Sequence, residues 1–446
     1  LTHFAFASRS TPWLKANDST YQKSNIPNIY FMKEWLKVIG CEDLSGLKAI
    51  HITGTKGKGS TAAYTESLIR EYFRRVGESI KVGLYTSPHI TEDRDRIRIN
   101  FKPVSERLFA ASFSEVWSRI STTTRDMPLP GYLQLLALVS VYIFQKEAVD
   151  VVIYEVHAGG RKDATNIFSH PVACGFTTIG LDHADLLGGT IQSVAWHKSG
   201  IMKHNQPAFS MPQVGSAAKI LKMESAKLDC ELEFTSINPD LPDTPGLRLH
   251  VQKLNASLAI KLANAYLKGR GGELTSEDIR NGIQNGKLPG RFQTIDDMRV
   301  QWCLDGAHNP LSLPVALEWF KTEAQVYPRA KNILVFGHES QRDTCDLIST
   351  IVESCRKHEL RFDEVILSPY MRYGVQMNSS VESYASFWRL LQPSLEIKCA
   401  SSLDVTMMEI RRRNGRHSTL ITGSTYLVGD ALKILHGIGK LSFDMT

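Results

Sequence analysis

Several things are scarce in this chain of 446 residues, and each scarcity excludes a class of protein. Its seven cysteines stand singly, with no CxxC pair, and their number is odd. Neither a disulfide framework nor a cysteine-based zinc site fits that pattern, so free thiols in a reducing compartment are expected. No apolar run reaches membrane-spanning length. There is no internal repeat and no low-complexity segment. Charge of one sign is also scarce: the net value is +6, and the basic residues are dispersed. That leans toward small anionic partners and away from nucleic acid. The chain begins at Leu1 and not at Met, so the expectation is that an upstream targeting segment has been removed. The expected location is cytoplasmic, with a mitochondrial form beside it.

What is present suits two domains with full cores. Hydrophobic residues make up 42% and charged residues 22%. Through the first sixty per cent of the chain, short apolar runs (LKAIHITG, KVGLYTS, VDVVIYEV, VACGFTTIG) alternate with helical patterns near 60–75, 106–122, 132–147 and 190–198. Leu254, Leu258, Leu262 and Tyr266 recur at four-residue spacing, which predicts one buried face on a helix. This β-then-α order implies an α/β fold with a parallel-rich sheet covered by helices. QWCLDG, NILVFG, FDEVIL, LEIKCA and STLITGS then restart the rhythm, with helical patterns near 310–326, 341–357, 380–391, 402–413 and 425–436. That second part reads as a Rossmann-like unit. The stretch NGKLPGRFQTIDD reads as a connection, which puts the boundary at Gly286 and gives domains 1–286 and 287–446.

HITGTKGKGST, residues 51–61, follows a strand and opens a helix. Its glycines let backbone N–H groups converge, the helix N-terminus adds positive charge, and Lys58 can reach β- and γ-phosphates. Gly54, Thr55, Lys56, Gly57, Gly59, Ser60 and Thr61 form the candidate cradle. The strict phosphate-loop spacing fails, because Gly59 separates Lys58 from Ser60.

Further stretches extend the pattern in order: MKEWLKVIG, YTSPHI with DRIRIN, YEVHAGGRKDATN, GLDHADLLGGTIQSVAWHKSGIMK, LNASLAIKLA, LPGRFQ, LDGAHNP and TGSTYLVG. Together they resemble the Mur-ligase superfamily and, within it, the folylpolyglutamate synthase family of the eukaryotic type. The resemblance implies an N-terminal P-loop ATPase domain of Mur-ligase type and a C-terminal Rossmann-like domain. It implies ligation driven by ATP and one or two Mg²⁺ ions, with a monovalent cation as a further ligand. A carboxylate would become an acyl phosphate, and an amino group would displace the phosphate. Folate and L-glutamate are the expected substrates, and a monomer the expected state. ATP would lie in the cleft between the domains.

By the same resemblance Lys58 is the P-loop lysine, and Ser87, Glu155 and His183 are magnesium ligands. Lys198 is the lysine that the family carbamylates, and Asn255 reads adenine. Arg291 reaches the γ-phosphate, while Asp305 and His308 belong to C-domain groups that close on the nucleotide. The residues alone leave plainer readings open: a turn for His183, a surface helix for Lys198, a helix N-cap for Asn255, and an Asx turn with a helix start at Asn309-Pro310 for LDGAHNP. Arg94, Arg96 and Arg98 would lie on one side of an extended segment, suited either to an anionic substrate tail or to a solvated edge. RRRNGRH reads as arginines in a last helical turn, stopped by Gly415.

The chain departs from the family at His157-Ala158, Lys162, His197, Leu249–Gln252, Leu288 and Gly337. These positions lie around the second metal and the acceptor pocket, so two alternatives accompany folate ligation. One is the same ligation on a non-folate acid, and the other is a catalytically silent ATP-binding paralogue.

Overall fold

Apolar runs rich in Val and Ile become the inner strands of two separate sheets. The computed structural model describes residues 29–123, 127–182, 184–338, 344–372, 375–377 and 381–443. The chain divides into two units after Leu288, two residues beyond the expected boundary.

The first unit holds β1 (Lys48–Thr53), β2 (Val82–Tyr85), β3 (Ile97–Ile99), β4 (Lys102–Pro103), β5 (Val151–Glu155), β6 (Ala173–Phe176), β7 (Ala208–Ser210) and β8 (Leu232–Phe234). Their order is β4-β3-β2-β5-β1-β6-β7-β8. The six strands from β2 to β8 in that order run parallel, and β3 and β4 add an antiparallel edge. The period of two along β5 sorts its side chains between two cores. Val151 and Ile153 pack with the helices Lys58–Val76, His250–Lys268 and Ser276–Asn285. Val152 and Tyr154 pack on the other face, with Ile29–Val38, Glu106–Thr123 and Tyr132–Lys146. Burial on both faces explains why these strands read as continuous apolar runs. On the helix His250–Lys268, Leu258, Leu262 and Tyr266 are buried and Leu254 is half-buried, as their spacing predicts.

The second unit holds β9 (Gln293–Asp297), β10 (Val300–Leu304), β11 (Lys331–Phe336), β12 (Glu364–Leu367), β13 (Tyr370–Arg372), β14 (Val375–Met377), β15 (Glu396–Cys399) and β16 (His417–Thr422). One sheet runs β15-β12-β11-β16-β10-β9, and β13 and β14 form a separate hairpin. β10, β11, β12, β15 and β16 are parallel. β9 corrects the reading of NGKLPGRFQTIDD as a connection, because its second half pairs antiparallel with β10. The run QTIDD lacks apolar alternation and turns at Met298 without glycine, so it carries no strand signal. The RRRNGRH arginines are held inside their own unit: Arg411 pairs with Asp297, Arg413 with Glu364, and Arg416 with Asp296. Among the described residues, no helix is long and apolar enough to cross a membrane.

The helix Ser276–Asn285 docks onto Lys58–Val76 through one buried carboxylate. Asp278 accepts from Thr275 N at 2.8 Å, Thr275 Oγ1 at 2.9 Å and Arg75 Nε at 2.9 Å. It thus closes a capping box and anchors a cation together. Asp278→Ala is expected to lower stability by about 3 kcal/mol, because both functions go and Arg75 loses its counter-charge. Thr275→Ala, which removes the cap alone, should cost about 1 kcal/mol. Urea midpoints at constant m distinguish the two, and equal losses would refute the anchoring role.

Candidate active site

β1 ends at Thr53, and the chain must turn within four residues into the helix Lys58–Val76. Gly54 has φ +151°, and a Cβ there would lie 1.8 Å from Thr177 Oγ1. Gly57 has φ +90°, and a Cβ there would lie 2.3 Å from Asn255 Oδ1. Only glycine meets both demands. Thr55 locks the turn sideways: its N–H donates to Thr178 O at 2.7 Å, and its Oγ1 donates to Gly180 O at 2.9 Å. Lys56 pairs with Asp182 at 3.5 Å.

Two ammonium groups converge on one carbonyl of this loop. Lys58 Nζ donates to Gly54 O at 3.1 Å, and Lys198 Nζ donates to the same oxygen at 2.8 Å. Lys198 is buried near the end of the helix Ile191–Ser199, which corrects the surface-lysine reading. Burial first, and then the nearby Lys58 charge, hold its amine well below the ordinary lysine range.

Glu155 ends β5 between β1 and β2. Its Oε1 lies 3.9 Å from Lys58 Nζ, and its Oε2 accepts from Ser87 N at 3.0 Å. Ser87 Oγ accepts from Arg96 Nη1 at 2.8 Å. Glu155 thus meets Ser87 through the Ser87 N–H, and the hydroxyl of Ser87 is held by Arg96; a carboxylate and a hydroxyl are hard oxygen donors of the kind Mg²⁺ takes. His183, the third expected ligand, lies outside the described residues. Among the described residues, no group of three or more His, Cys, Asp or Glu side chains converges on a metal-binding point.

The three arginines do not share one side of an extended segment. Arg94 and Arg96 sit in a 3₁₀ turn, Asp93–Arg96, and only Arg98 is in a strand. Arg94 pairs with Glu92, and Arg98 donates to the carbonyls of Asp95 and Phe101. Arg96 is buried against Ser87 and His89. The local acidic residues Glu92 and Asp95 close the turn in a capping box, and strand alternation gives no sign of it.

Asn255 is not an N-cap, because the helix His250–Lys268 starts after Leu249. Its buried amide donates to Gln252 Oε1 at 3.0 Å and lies 3.4 Å from Thr61 Oγ1, directly beneath the loop. His157, named above as a departure from the family, has two partners that escaped the sequence reading, Tyr85 and Asp163. His157 Nε2 is 2.8 Å from the Tyr85 hydroxyl, and its Nδ1 is 3.5 Å from Asp163 Oδ1. Burial lowers the His157 pKa to about 4 and raises that of the Tyr85 phenol, so both are neutral at pH 7. The Asp163 carboxylate can only accept, which favours the imidazole proton on Nδ1, and Nε2 then accepts from the Tyr85 hydroxyl.

In the second unit, LDGAHNP leaves the C-terminal end of β10. Asp305 Oδ1 accepts from Ala307 N at 2.9 Å in an Asx turn, and Oδ2 accepts from Phe292 N at 3.0 Å. Arg291 therefore stands beside this turn, and a side chain at Gly306 would meet its guanidinium. His308 Nδ1 is 2.7 Å from Gly306 O. The following helix starts at Leu313 and not at Asn309, whose side chain instead accepts from the N–H groups of Leu311 and Ser312.

The chain is similar to several known proteins. A family model described as dihydrofolate synthetase, C-terminal domain, matches residues 289–434. The folylpolyglutamate synthase of Neurospora crassa is 34% identical over 451 residues, which cover 91% of this chain and 84% of that protein. That of a Saccharomyces cerevisiae strain is 34% identical over 464 residues, covering 94% and 83%. A solved structure of Mycobacterium tuberculosis folylpolyglutamate synthase complexed with ADP and AMPPCP superposes with a TM-score of 0.73 at 23% identity, covering 92% of this chain and 95% of that one.

Gly57→Ala and Gly77→Ala separate strain from steric conflict. Both residues have positive φ, but a Cβ on Gly77 meets nothing within 4 Å. Gly77→Ala should cost about 1 kcal/mol and leave nucleotide binding intact. Gly57→Ala should also abolish nucleotide binding in a fluorescence titration, and wild-type affinity would show that the loop does not hold phosphate.

His51 gives a pH prediction. Burial, then the Lys203 charge, lower its pKa from 6.5 to about 3. The unfolded chain takes up this proton first, so the contribution is complete above pH 6.5 and is lost as pH falls toward 3. Between these limits His51→Gln should flatten stability against pH by up to about 1.4 kcal/mol per unit relative to the wild type. Parallel urea titrations at several pH values measure this, and identical slopes would refute it.

Proposed function

This chain belongs to the folylpolyglutamate synthase family, and from that membership we propose that it is an ATP-dependent ligase joining L-glutamate to the γ-carboxylate of a reduced folate or its polyglutamates. The observation that carries this reading is the pair of lysines on the Gly54 carbonyl, beside the Ser87–Glu155 contact. Lys58 on a glycine turn at a helix N-terminus favours a polyanion such as a triphosphate, and Lys198 beside it is the amine that the scheme modifies.

In this scheme a folate carboxylate oxygen attacks the γ-phosphorus, ADP leaves, and an acyl phosphate forms. The glutamate amine then attacks the acyl carbon and expels phosphate. The backbone N–H groups of residues 57–61 cradle the phosphates, and Lys58 offsets charge on the γ-phosphate as it transfers. Ser87 and Glu155, with His183, would hold Mg²⁺, which spreads the negative charge of the phosphate oxygens when bound. Lys198, an amine below its ordinary pKa, is suited to combine with CO₂ and release a proton. The resulting carbamate would replace a cation with an anion in the same buried place. Asn255 is assigned to adenine recognition, and Arg291, Asp305 and His308 to nucleotide contacts of the second unit. The protein acts on small molecules as a monomer in this proposal.

A second acid is favoured by the description of the family model at residues 289–434. Under that reading dihydropteroate supplies the carboxylate, and the same two steps give dihydrofolate.

The test is ADP release with Mg-ATP, L-glutamate and either tetrahydrofolate or dihydropteroate, with products weighed by mass spectrometry. A ladder of glutamyl additions supports the first reading, and one addition to dihydropteroate supports the second. ATP binding with no ADP release from either acid would overturn both. Lys58→Ala should lower turnover by about 10³-fold, and retention of most activity would remove Lys58 from phosphate handling. Lys198→Ala should lose activity that added formate or acetate partly restores, and full activity without them would remove the carbamate.

A further inference from the structure

A buried polar chain crosses the first sheet just below the loop, and the ligation scheme leaves it without a task. It starts at Tyr85 in β2, whose hydroxyl is 2.8 Å from His157 Nε2. It passes through His157 Nδ1 to Asp163 Oδ1 at 3.5 Å, with the His157 and Asp163 side chains only 3% and 2% exposed. Asp163 then fixes the turn that carries it, accepting from Ala158 N at 2.8 Å, Thr165 N at 2.9 Å and Thr165 Oγ1 at 2.7 Å. Thr165 Oγ1 in turn meets His51 Nε2 in β1 at 2.9 Å.

The ends of this chain matter because β2, β5 and β1 are neighbours. Ser87 follows Tyr85 by two residues, Glu155 precedes His157 by two, and the glycine turn follows His51. The backbone register between β2 and β5 ends at Tyr85 and Tyr154. Beyond that point side chains set the spacing of the strand exits, and the Tyr85–His157 contact is one of them. The turn after β5 also reaches Lys198. Arg161 N donates to His197 O at 2.7 Å, and a Cβ on Gly160 would lie 2.9 Å from Lys198 O.

We infer that His157 is a positioning residue for ligation: it braces Tyr85 against Asp163 and so fixes the separation of Ser87, Glu155 and Lys198. The functional half of this inference rests on the ligase reading, and the structural half does not. His157 touches neither substrate nor reacting atom in this role. A brace affects how well the groups are aligned, so its loss should reduce turnover and leave ground-state nucleotide binding nearly unchanged.

The test compares full-length wild type with His157→Gly, His157→Gln, Tyr85→Phe and the double variant Tyr85→Phe/His157→Gly. His157→Gly should lower kcat for ADP release by about 10–100-fold, with KM for ATP within about twofold. His157→Gln, which keeps a polar group in the gap, should recover much of that loss. Tyr85→Phe should cost less than His157→Gly, and the double variant should match His157→Gly alone, since both substitutions cut one link. Amide hydrogen exchange supplies a readout that needs no turnover: residues 86–87 and 156–163 should exchange faster in His157→Gly. Tyr85→Phe removes a single hydroxyl and gives the same exchange comparison should His157→Gly fail to fold. Unchanged exchange with unchanged kcat, or losses that multiply in the double variant, would overturn the brace. Faster exchange in a protein whose wild type releases no ADP with any acid would support the brace and overturn the ligase reading instead.

Discussion

Two lysines share one backbone carbonyl, and much of the first unit follows from making that arrangement tolerable. An ammonium group as buried as that of Lys198 is costly unless it is hydrogen-bonded or gives up its proton. Gly54 O supplies the hydrogen bond to Lys198 and to Lys58 alike. For that oxygen to face both, the chain must leave β1 through a turn that only glycine can make. The turn is then held against Thr177, Thr178 and Gly180 on one side and Asn255 on the other. The central position of β1, between β5 and β6, puts the turn beside Glu155. Electrostatics, backbone sterics and strand order thus agree on one small region, as expected where several levels of structure support the same state.

Much of this was legible in the sequence because each feature rests on local chemistry. The glycines at 54, 57 and 59, the lysine at 58 and the apolar run before them state a strand, a turn and a helix within a dozen residues. β1, β2, β5 and β6 are continuous apolar runs because both of their faces are covered. What escaped notice depends on contacts distant in the chain or on weak signals. β3, β4, β7 and β8 have two or three residues each, too few for a period to emerge. The 3₁₀ turn at Asp93–Arg96 is fixed by acidic side chains closing on nearby backbone, so the alternating arginines pointed to an extended segment of which only the part at Arg98 is there. For Asn255, assigned to adenine by the resemblance, a cap was the plainer alternative, and only tertiary packing shows it within the helix and buried beneath the loop. His157 stood out as a departure, but its partners Tyr85 and Asp163 lie 72 and 6 positions away, so the contact is partly invisible to any local pattern.

The second unit shows the same division. Its five parallel strands were plain, and the antiparallel β9 was not, because QTIDD carries acidic residues that the fold uses for ion pairs. Asp296 and Asp297 receive Arg416 and Arg411 across the sheet, which accounts for a basic cluster that would otherwise invite a nucleic-acid reading. Asp305 likewise serves its own backbone first. It ties Phe292 to the turn after β10, and so Arg291 is carried to the place where a doubly wound sheet presents ligands.

The edges of the sheets bear on how the chain behaves at high concentration. An open strand edge is a template on which a second molecule can pair, and long apolar edges seed precipitation. β4 ends the first sheet with two residues, Lys102 and Pro103, one charged and the other lacking an N–H. β8, at the opposite margin, has three residues with an acidic one at its centre. β15 alternates Glu396 and Lys398 along the rim of the other sheet. Colloidal behaviour is therefore written into the least conspicuous strands: crowded copies find little there on which to stack, and the long apolar strands between them stay out of reach.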